Sequence, residues 1–205
     1  MNKKDSNSSN TSSDTTDTTS LQMNQINHIQ KITQNQDLTN SVTNYIIEIM
    51  NEHEIRELDI IEPLQENLLI TRNSIESQAH LSKDIFITKT PPITLEAFLK
   101  RIIKYTKMED STMILMLVYL DRYCEKTNVS LNDKNVHRLM FFSVMAAIKY
   151  NEDEFCKNSY YALVAGLPVK EFNYLEQMFM RGIDYSLYVS KYNYDVYESY
   201  FIKNE

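Results

Sequence analysis

The sequence predicts an all-α fold, a bundle of five helices with one flanking helix on each side. Only two glycines and four prolines occur in 205 residues, a composition that suits helices and argues against a turn-rich β fold. From Leu95 onward, apolar residues recur at helical spacing, three and four positions apart. The segments 113–120 and 139–148 are apolar nearly all round, which is typical of helices enclosed by other helices.

Composition divides the chain into an N-terminal arm and a compact half. The first twenty residues are almost entirely Ser, Thr, Asn and Asp, so they cannot bury enough apolar surface to offset the entropy of ordering. We therefore expect a disordered arm over residues 1–40. The net charge of −7 also lies mainly in the N-terminal part, because residues 1–89 carry 7 basic and 13 acidic side chains, whereas residues 90–189 carry 12 of each.

An amphipathic helix followed by a connector is predicted over residues 41–90. The helix is indicated by apolar residues at helical spacing and by a cap near Asn40 or Ser41. The residues of its apolar face are Val42, Tyr45, Ile46, Ile49 and Met50. Residues 60–90 are interpreted as a loop or a weakly ordered connector.

Each of the first three helices of the bundle has its own start signal. The run Thr90-Pro91-Pro92 starts the first helix. The buried stripe of that helix is Leu95, Phe98, Leu99, Ile102 and Ile103. Asp110-Ser111 caps the second helix, and Asn132 or Asp133 caps the third, which is expected to end at Tyr150.

The remaining helices are also bounded by residues that favour helix ends. The fourth helix spans Asn158 to Ala165, with Gly166 as its left-handed C-cap. The fifth helix begins at Pro168, a residue suited to a first turn. Ser190 is suited to cap a last helix over residues 190–205.

No recognisable motif arranges residues for catalysis, metal binding or a cofactor. Glycine occurs only at positions 166 and 182, so there is no glycine-rich phosphate loop, and no His-x-x-x-His, Cys-x-x-Cys or Gly-x-Ser-x-Gly pattern occurs. Cys156 and His137 form a conceivable nucleophile pair, but nothing in the sequence orients them. We therefore predict that the protein is not an enzyme and that it has no cofactor and no metal.

The same composition restricts the classes of partner and compartment. No basic block or stripe is present, so we expect no nucleic-acid partner. The longest apolar run, Met113 to Leu120, is too short to span a bilayer, so we expect no membrane association. Cys124 and Cys156 have no near partner, and we interpret both as reduced, buried thiols of a nuclear or cytoplasmic protein.

Four charged residues lie unusually deep in the apolar helices: Arg101, Asp121, Lys149 and Glu176. Such charges are rarely buried unless paired, and for the first two we favour a helix edge or an internal pair. The other two adjoin a run of apolar residues, namely Tyr150, Met180, Ile183, Tyr185 and Leu187. One donor and one acceptor beside an apolar patch suit the docking of a partner's helix. Spacing alone does not distinguish such a docking surface from an ordinary core with a polar rim, and both remain equally open.

Five collinear motifs resemble the cyclin box. They are Tyr-Leu-Asp-Arg at 119–122, Asn-Val-His-Arg-Leu at 135–139, Ala-Ala-Ile-Lys-Tyr at 146–150, Tyr-Tyr-Ala-Leu-Val-Ala-Gly-Leu at 160–167 and Leu-Glu-Gln-Met-Phe at 175–179. The second and fourth motifs are similar to those of the P/U-type cyclins, the family of the yeast phosphate-system cyclin. The resemblance implies a cyclin box over 91–189, with five helices around a central one. This chain departs from the family in having Ile148 where Ala or Ser is common.

The resemblance implies a regulatory subunit that binds and activates a cyclin-dependent protein kinase as a heterodimer. It would do so by holding the αC helix and the activation segment of the kinase in the active arrangement. The resemblance implies a buried pair of Arg101 with Asp121, and hydrogen bonds from Lys149 and Glu176 to the kinase main chain. The pocket that it implies for an apolar kinase side chain is formed by Tyr150, Met180, Tyr185 and Leu187.

Three questions stay open at this level. The acidic run Glu152-Asp153-Glu154 is either a solvated loop or, as the P-type resemblance allows, it places Asp153 against arginines of the activation segment in place of a phosphate. The alternative function is a cyclin-fold adaptor or scaffold that does not activate a kinase. The sequence also leaves open a role in the cell cycle or in nutrient signalling.

Overall fold

The computed structural model describes residues 37–54 and 85–201, and within these ranges every regular element is a helix. The helices are α1 (37–54), α2 (Leu95–Thr106), α3 (Asp110–Thr127), α4 (Val136–Asn151), α5 (Asn158–Ala165), α6 (Val169–Gly182) and α7 (Lys191–Phe201). The prediction of an all-α fold, with five helices between two flanking ones, is confirmed for this part of the chain. Most of the predicted arm (1–36) and most of the connector (55–84) lie outside the described residues.

The centre of the bundle is formed by α3 and α4. Every residue from Thr112 to Leu120 in α3 and from Leu139 to Ile148 in α4 is buried, as their all-round apolar character predicted. The buried hydroxyl of Ser143 donates to the carbonyl oxygen of Leu139 at 2.8 Å, so it is satisfied within its own helix. Around this pair, α2 and α6 pack on α4, and α7 packs on α3.

Several predicted helix ends are confirmed by their capping geometry. Gly166 ends α5 in the left-handed region with a φ of +71°, and Pro168 immediately precedes α6. The hydroxyl of Ser190 accepts a backbone N–H from the first turn of α7 at 3.2 Å. Gly182 ends α6 against α3, where a Cβ atom would lie 2.2 Å from the ring of Tyr123. Only glycine permits this close approach of the two helices.

The starts of α1 and α2 differ from the predicted positions. Residues 37–40 are already helical, so the predicted cap at Asn40 or Ser41 is wrong. The helix extends further because Leu38 is buried and continues its apolar face. The predicted start of α2 at Thr90-Pro91-Pro92 is also wrong, because the hydroxyl of Thr94 caps the helix by accepting an N–H of its first turn at 3.2 Å.

The starts of α3 and α4 are shifted as well. Glu109 is the N-cap of α3 in place of Asp110-Ser111, because its backbone carbonyl accepts the first helical hydrogen bond at 3.1 Å. Asn135 is the N-cap of α4 in place of Asn132 or Asp133. Its side-chain oxygen accepts the backbone N–H of Asn132 at 2.9 Å and so holds a turn closed before the helix begins.

Asp121 of α3 connects the two flanking helices. Its Oδ2 atom accepts the hydroxyl of Tyr45 in α1 at 3.1 Å and the hydroxyl of Tyr197 in α7 at 2.7 Å. The rings of Tyr45 and Phe201 meet edge to face, with centroids 5.2 Å apart. Burial raises the pKa of the Asp121 carboxyl, and the two tyrosine hydrogen bonds partly oppose this shift. One carboxylate therefore holds two helices that lie at opposite ends of the described chain.

The expected buried pair of Arg101 and Asp121 is wrong. Arg101 is exposed on α2 and makes no ion pair within the described residues. Asp121 does not need a cation, because the two tyrosine hydroxyls already satisfy the carboxylate oxygen. Spacing in the sequence did not reveal this because Tyr45 and Tyr197 each lie 76 residues from Asp121.

We predict that Asp121→Asn removes a pH dependence from the free energy of unfolding. Because the pKa of Asp121 is raised in the folded state, its contribution to stability is fully present below the unfolded-state pKa. That contribution is lost as the pH rises through the folded-state pKa. Urea unfolding at a series of pH values will show this loss in the wild type and not in the variant.

Two further variants separate charge from hydrogen bonding at this position. Asp121→Ala leaves both tyrosine hydroxyls without their acceptor and lowers the free energy of unfolding by about 1–3 kcal/mol at neutral pH. Asp133→Asn removes an exposed carboxylate and serves as the control, with the wild-type pH profile expected. A profile of Asp121→Asn that matches the wild type would contradict the prediction.

Candidate functional site

Lys149 lies in the last turn of α4, where this enclosed helix reaches the surface. The ten residues before it are all buried, whereas its own side chain is 27% exposed. The Nζ atom pairs with Oε1 of Glu176 in α6 at 2.5 Å and donates to Oδ1 of Asn158 at 2.5 Å. The sequence treated Lys149 and Glu176 as two separate charges, and the structure brings them into one ion pair.

Asn158, the first residue of α5, joins both members of that ion pair. Its Oδ1 atom accepts from Lys149, and its Nδ2 atom donates to Oε2 of Glu176 at 2.9 Å. The same Nδ2 atom donates to Oδ1 of Asn173 at 2.8 Å. The sequence indicated only a helix start at Asn158, since nothing in its spacing from Lys149 follows a helical period. We call Lys149, Asn158, Asn173 and Glu176 the polar network.

An open cavity of about 410 Å³ adjoins the polar network, and we call it the Lys149 pocket. Its apolar lining includes the four residues that the resemblance implied: Tyr150, Met180, Tyr185 and Leu187. Tyr150 and Tyr185 are 50% and 59% exposed, so both offer aromatic surface to a partner. Sequence reasoning therefore found these four residues correctly as neighbours, and the structure adds Phe142 and Phe179 behind them.

The segment that follows α6 is attached firmly to α3. The hydroxyl of Tyr119 donates to the carbonyl oxygen of Leu187 at 2.7 Å, and the guanidinium of Arg122 donates to the carbonyl oxygens of Ser186 and Tyr188. Burial raises the pKa of Tyr119, so its hydroxyl stays protonated as a donor. These bonds hold the 186–188 backbone so that one wall of the Lys149 pocket is preformed.

Two other residues that the sequence grouped with this site are placed differently. Ile183 is fully buried at the end of α6 and does not line the Lys149 pocket, so its predicted place in the patch is wrong. The helix ends there, and the chain turns Ile183 into the core. Asp153 and Glu154 are exposed between α4 and α5. Glu152 is directed inward instead, since its Oε1 atom accepts the backbone N–H of Glu109 at 3.0 Å.

The described residues contain no cluster of three or more histidine, cysteine or acidic side chains close enough to hold a metal ion. None of the helices in this part of the chain has both the length and the apolar character needed to cross a bilayer. Both cysteines are free. Cys124 is half-buried, and desolvation raises the pKa of its thiol to about 12. Cys156 is exposed, so the expectation that both thiols are buried is wrong for Cys156 and only partly met by Cys124. Helix α4 ends at Asn151, so Cys156 lies in the exposed loop between α4 and α5.

Comparison with known proteins points to one family. The family model described as Cyclin matches residues 1–187. Cyclin-U4-1 of Arabidopsis thaliana is 40% identical over 114 residues, which cover 55% of this chain and 56% of the relative. Cyclin-U2-2 of the same plant is 35% identical over 166 residues, which cover 78% of this chain and 67% of the relative.

Relatives outside that plant have similar identities. Cyclin-P3-1 of Oryza sativa is 32% identical over 117 residues, covering 57% of this chain and 48% of the relative. The PHO85 cyclin-like protein psl1 of Schizosaccharomyces pombe is 38% identical over 109 residues, covering 52% of this chain and 45% of the relative. The chain spans between about half and two thirds of the length of the curated relatives that it matches.

Proposed function

Because the chain belongs to the P/U-type branch of the cyclin family, we propose that it is a regulatory subunit that binds and activates a cyclin-dependent protein kinase. Cyclins are regulatory proteins and not enzymes. The observation that carries the proposal is the polar network at the rim of the open Lys149 pocket. The fission-yeast relative, a PHO85 cyclin-like protein, supports a kinase of this class as the partner.

The polar network retains hydrogen-bonding capacity for a partner. An ammonium group has three N–H donors, and Lys149 uses two of them, one on Glu176 and one on Asn158. One donor remains for a main-chain carbonyl of the kinase. Each carboxylate oxygen of Glu176 accepts one bond within the network and has a second lone pair for a kinase N–H. The network therefore offers a donor and an acceptor side by side.

The Lys149 pocket supplies the apolar part of the interface. Tyr150 and Tyr185 each expose about half of a large aromatic side chain beside Met180 and Leu187. An apolar side chain from a kinase helix would bury these surfaces, and aromatic anchors near a polar pair are typical of the residues that dominate interface energies. The polar network would set the register of that helix.

Activation follows from a difference in affinity between two states of the kinase. A cyclin-dependent kinase without its cyclin keeps the αC glutamate away from the β3 lysine. A preformed cyclin surface that binds only the inward position of αC shifts the population towards the active state, by no more than the difference in affinity. The hydrogen bonds that Tyr119 and Arg122 make to the 186–188 backbone provide the rigidity that this requires.

We also propose a one-to-one heterodimer in the nucleus or the cytoplasm.

The test is co-purification of the full chain with a kinase from its host, followed by assay on a test substrate. We predict that Lys149→Ala combined with Glu176→Ala weakens kinase binding by about 2–4 kcal/mol, or about 30- to 1000-fold, and lowers activity in parallel. The matched control is Glu96→Ala combined with Lys100→Ala, which removes an exposed ion pair of 2.5 Å on α2. Binding and activity that survive the Lys149 and Glu176 changes would refute the assignment. Binding without activation would favour the adaptor function.

A second prediction concerns Asp153, for which we propose a contact with arginines of the activation segment. Asp153 is exposed on the loop that leaves the Lys149 end of α4, where a carboxylate is available to a partner. Asp153→Asn should lower the activity of a complex whose kinase has an unphosphorylatable activation segment by about 10-fold. Glu154→Gln is the control, because it is the exposed neighbour. Equal activities for the two variants would contradict this role.

A further inference from the structure

Thr90 and Pro91 form a sequence feature that neither the fold nor the proposed kinase interface uses. They are the only Thr-Pro or Ser-Pro pair in the 205 residues. Thr94 caps α2, so this pair does not begin a helix, and it lies in the irregular segment 87–93. Thr90 is exposed in that segment. Its hydroxyl is therefore open to an enzyme that modifies it.

The backbone around Thr90 has the form that proline-directed protein kinases accept. The ring of Pro91 clashes with a helical residue in front of it and so restricts Thr90 to the extended region. On one side of this pair, the backbone N–H of Thr88 donates to the carbonyl oxygen of Lys134 at 2.9 Å. On the other side, the carbonyl oxygen of Ile93 lies 3.0 Å from a ring nitrogen of α4. Thr90 is thus presented on a short extended stretch between two anchored points.

Thr90 also lines a cavity of about 500 Å³ between α2 and the amino-terminal end of α4, which we call the Arg101 cavity. The cationic side chains of its lining are Lys89, Arg101 and Arg138, and no acidic side chain is among its described residues. Arg138 is paired with Glu171 at 2.9 Å, whereas Lys89 and Arg101 make no ion pair in the described part of the chain. Two cations beside the exposed hydroxyl are therefore without an anion.

A phosphate on Thr90 would supply that anion. A phosphothreonine carries a charge of about −1.5 to −2 at pH 7 and three acceptor oxygens. The guanidinium of Arg101 offers parallel N–H donors that match two of these oxygens, and the ammonium of Lys89 adds a point charge. Burial lowers the pKa of His137, which is the remaining titratable group of the lining, so its ring is neutral and leaves the attraction to the other cations.

We propose that Thr90 is a phosphorylation site for a proline-directed protein kinase and that its phosphate binds Arg101 and Lys89. In the transfer, Oγ1 of Thr90 attacks the γ-phosphorus of ATP, the bond from that phosphorus to the bridging oxygen breaks, and ADP leaves. The hydroxyl proton passes to the catalytic aspartate of the modifying kinase. The phosphate then joins the segment 88–93 to α2. This modification goes beyond the proposed regulation of a kinase and does not require the Lys149 pocket.

The first experiment maps phosphate on the full chain carrying Lys149→Ala and Glu176→Ala. These changes disable the proposed kinase-binding surface and leave the Arg101 cavity intact, so failure of one proposal is distinguishable from failure of the other. After incubation with ATP, Mg²⁺ and a purified mitogen-activated protein kinase, which is proline-directed, mass spectrometry should find a phosphoryl group on Thr90. The wild-type chain purified from its host should carry phosphate at the same residue.

Two controls test the specificity of that transfer. Thr88 and Thr94 are followed by Lys89 and Leu95, so both should stay unmodified. Pro91→Ala should lower the rate of phosphorylation about 10-fold or more, because it removes the group that the kinase recognises. A rate that is unchanged in Pro91→Ala, or the absence of phosphate from Thr90 in both preparations, would overturn the proposal.

The second experiment tests where the phosphate binds. The phosphorylated chain should melt about 3–6 °C above the unmodified chain, because the new charge-assisted hydrogen bonds form only in the folded state. Arg101→Ala should remove most of this increase, and Arg101→Lys should keep part of it. Lys104→Ala is the control, since it removes an exposed cation of the same helix outside the cavity. Arg101 is exposed, so the unmodified variants are expected to keep the wild-type melting temperature.

Phosphorus nuclear magnetic resonance gives a readout that general stability does not move. The guanidinium of Arg101 favours the dianion, so the second pKa of the phosphate should lie below its usual value of about 6. Arg101→Ala should raise this pKa towards the usual value, and Lys104→Ala should not. Equal melting temperatures with and without phosphate, or a phosphate pKa that is the same in the wild type and Arg101→Ala, would overturn the proposed contact.

Discussion

The enclosure of α4 on all sides is the constraint on which the rest of the structure depends. A helix that is buried from Leu139 to Ile148 has no side on which a charged residue is solvated, so its charges must lie at its ends. At its carboxyl-terminal end, Lys149 reaches the surface beside apolar residues and pairs with Glu176 and Asn158. At its amino-terminal end, Arg138 and His137 line a second cavity. Both surfaces are therefore consequences of one buried helix.

The flanking helices α1 and α7 supply hydrogen-bond donors to a carboxylate that lies in an apolar interface. Asp121 lies on α3 among buried neighbours, and desolvation alone would disfavour its charge. Tyrosine hydroxyls from α1 and α7 satisfy it without introducing a second ion. Arg101, which the family resemblance had assigned to the same carboxylate, is therefore not paired with it. Arg101 instead lines the cavity between α2 and the amino-terminal end of α4.

The two surfaces differ in chemistry as well as in place. The Lys149 pocket combines exposed tyrosines with a donor and an acceptor that are already joined, which suits the main chain and one apolar side chain of a folded partner. The cavity beside Arg101 combines three cationic side chains with aromatic ones. Phe142 is fully buried between them and lines both.

The amino-acid sequence by itself determined the elements of the fold and the main members of the candidate site. Helical periodicity, Gly166, Pro168 and Ser190 were sufficient for the number and order of the helices, because amphipathicity is a local property. The predicted starts of the first four helices were nevertheless displaced. Five motifs were sufficient to identify Lys149, Glu176 and the tyrosines beside them. Only the tertiary structure decided how charges were paired. Asp121 takes its partners from residues 76 positions away on each side, Asn158 enters the polar network from another helix, and Arg101 is left for a different cavity. Hydrogen bonds of that range depend on how helices pack, and no period along a single helix records them.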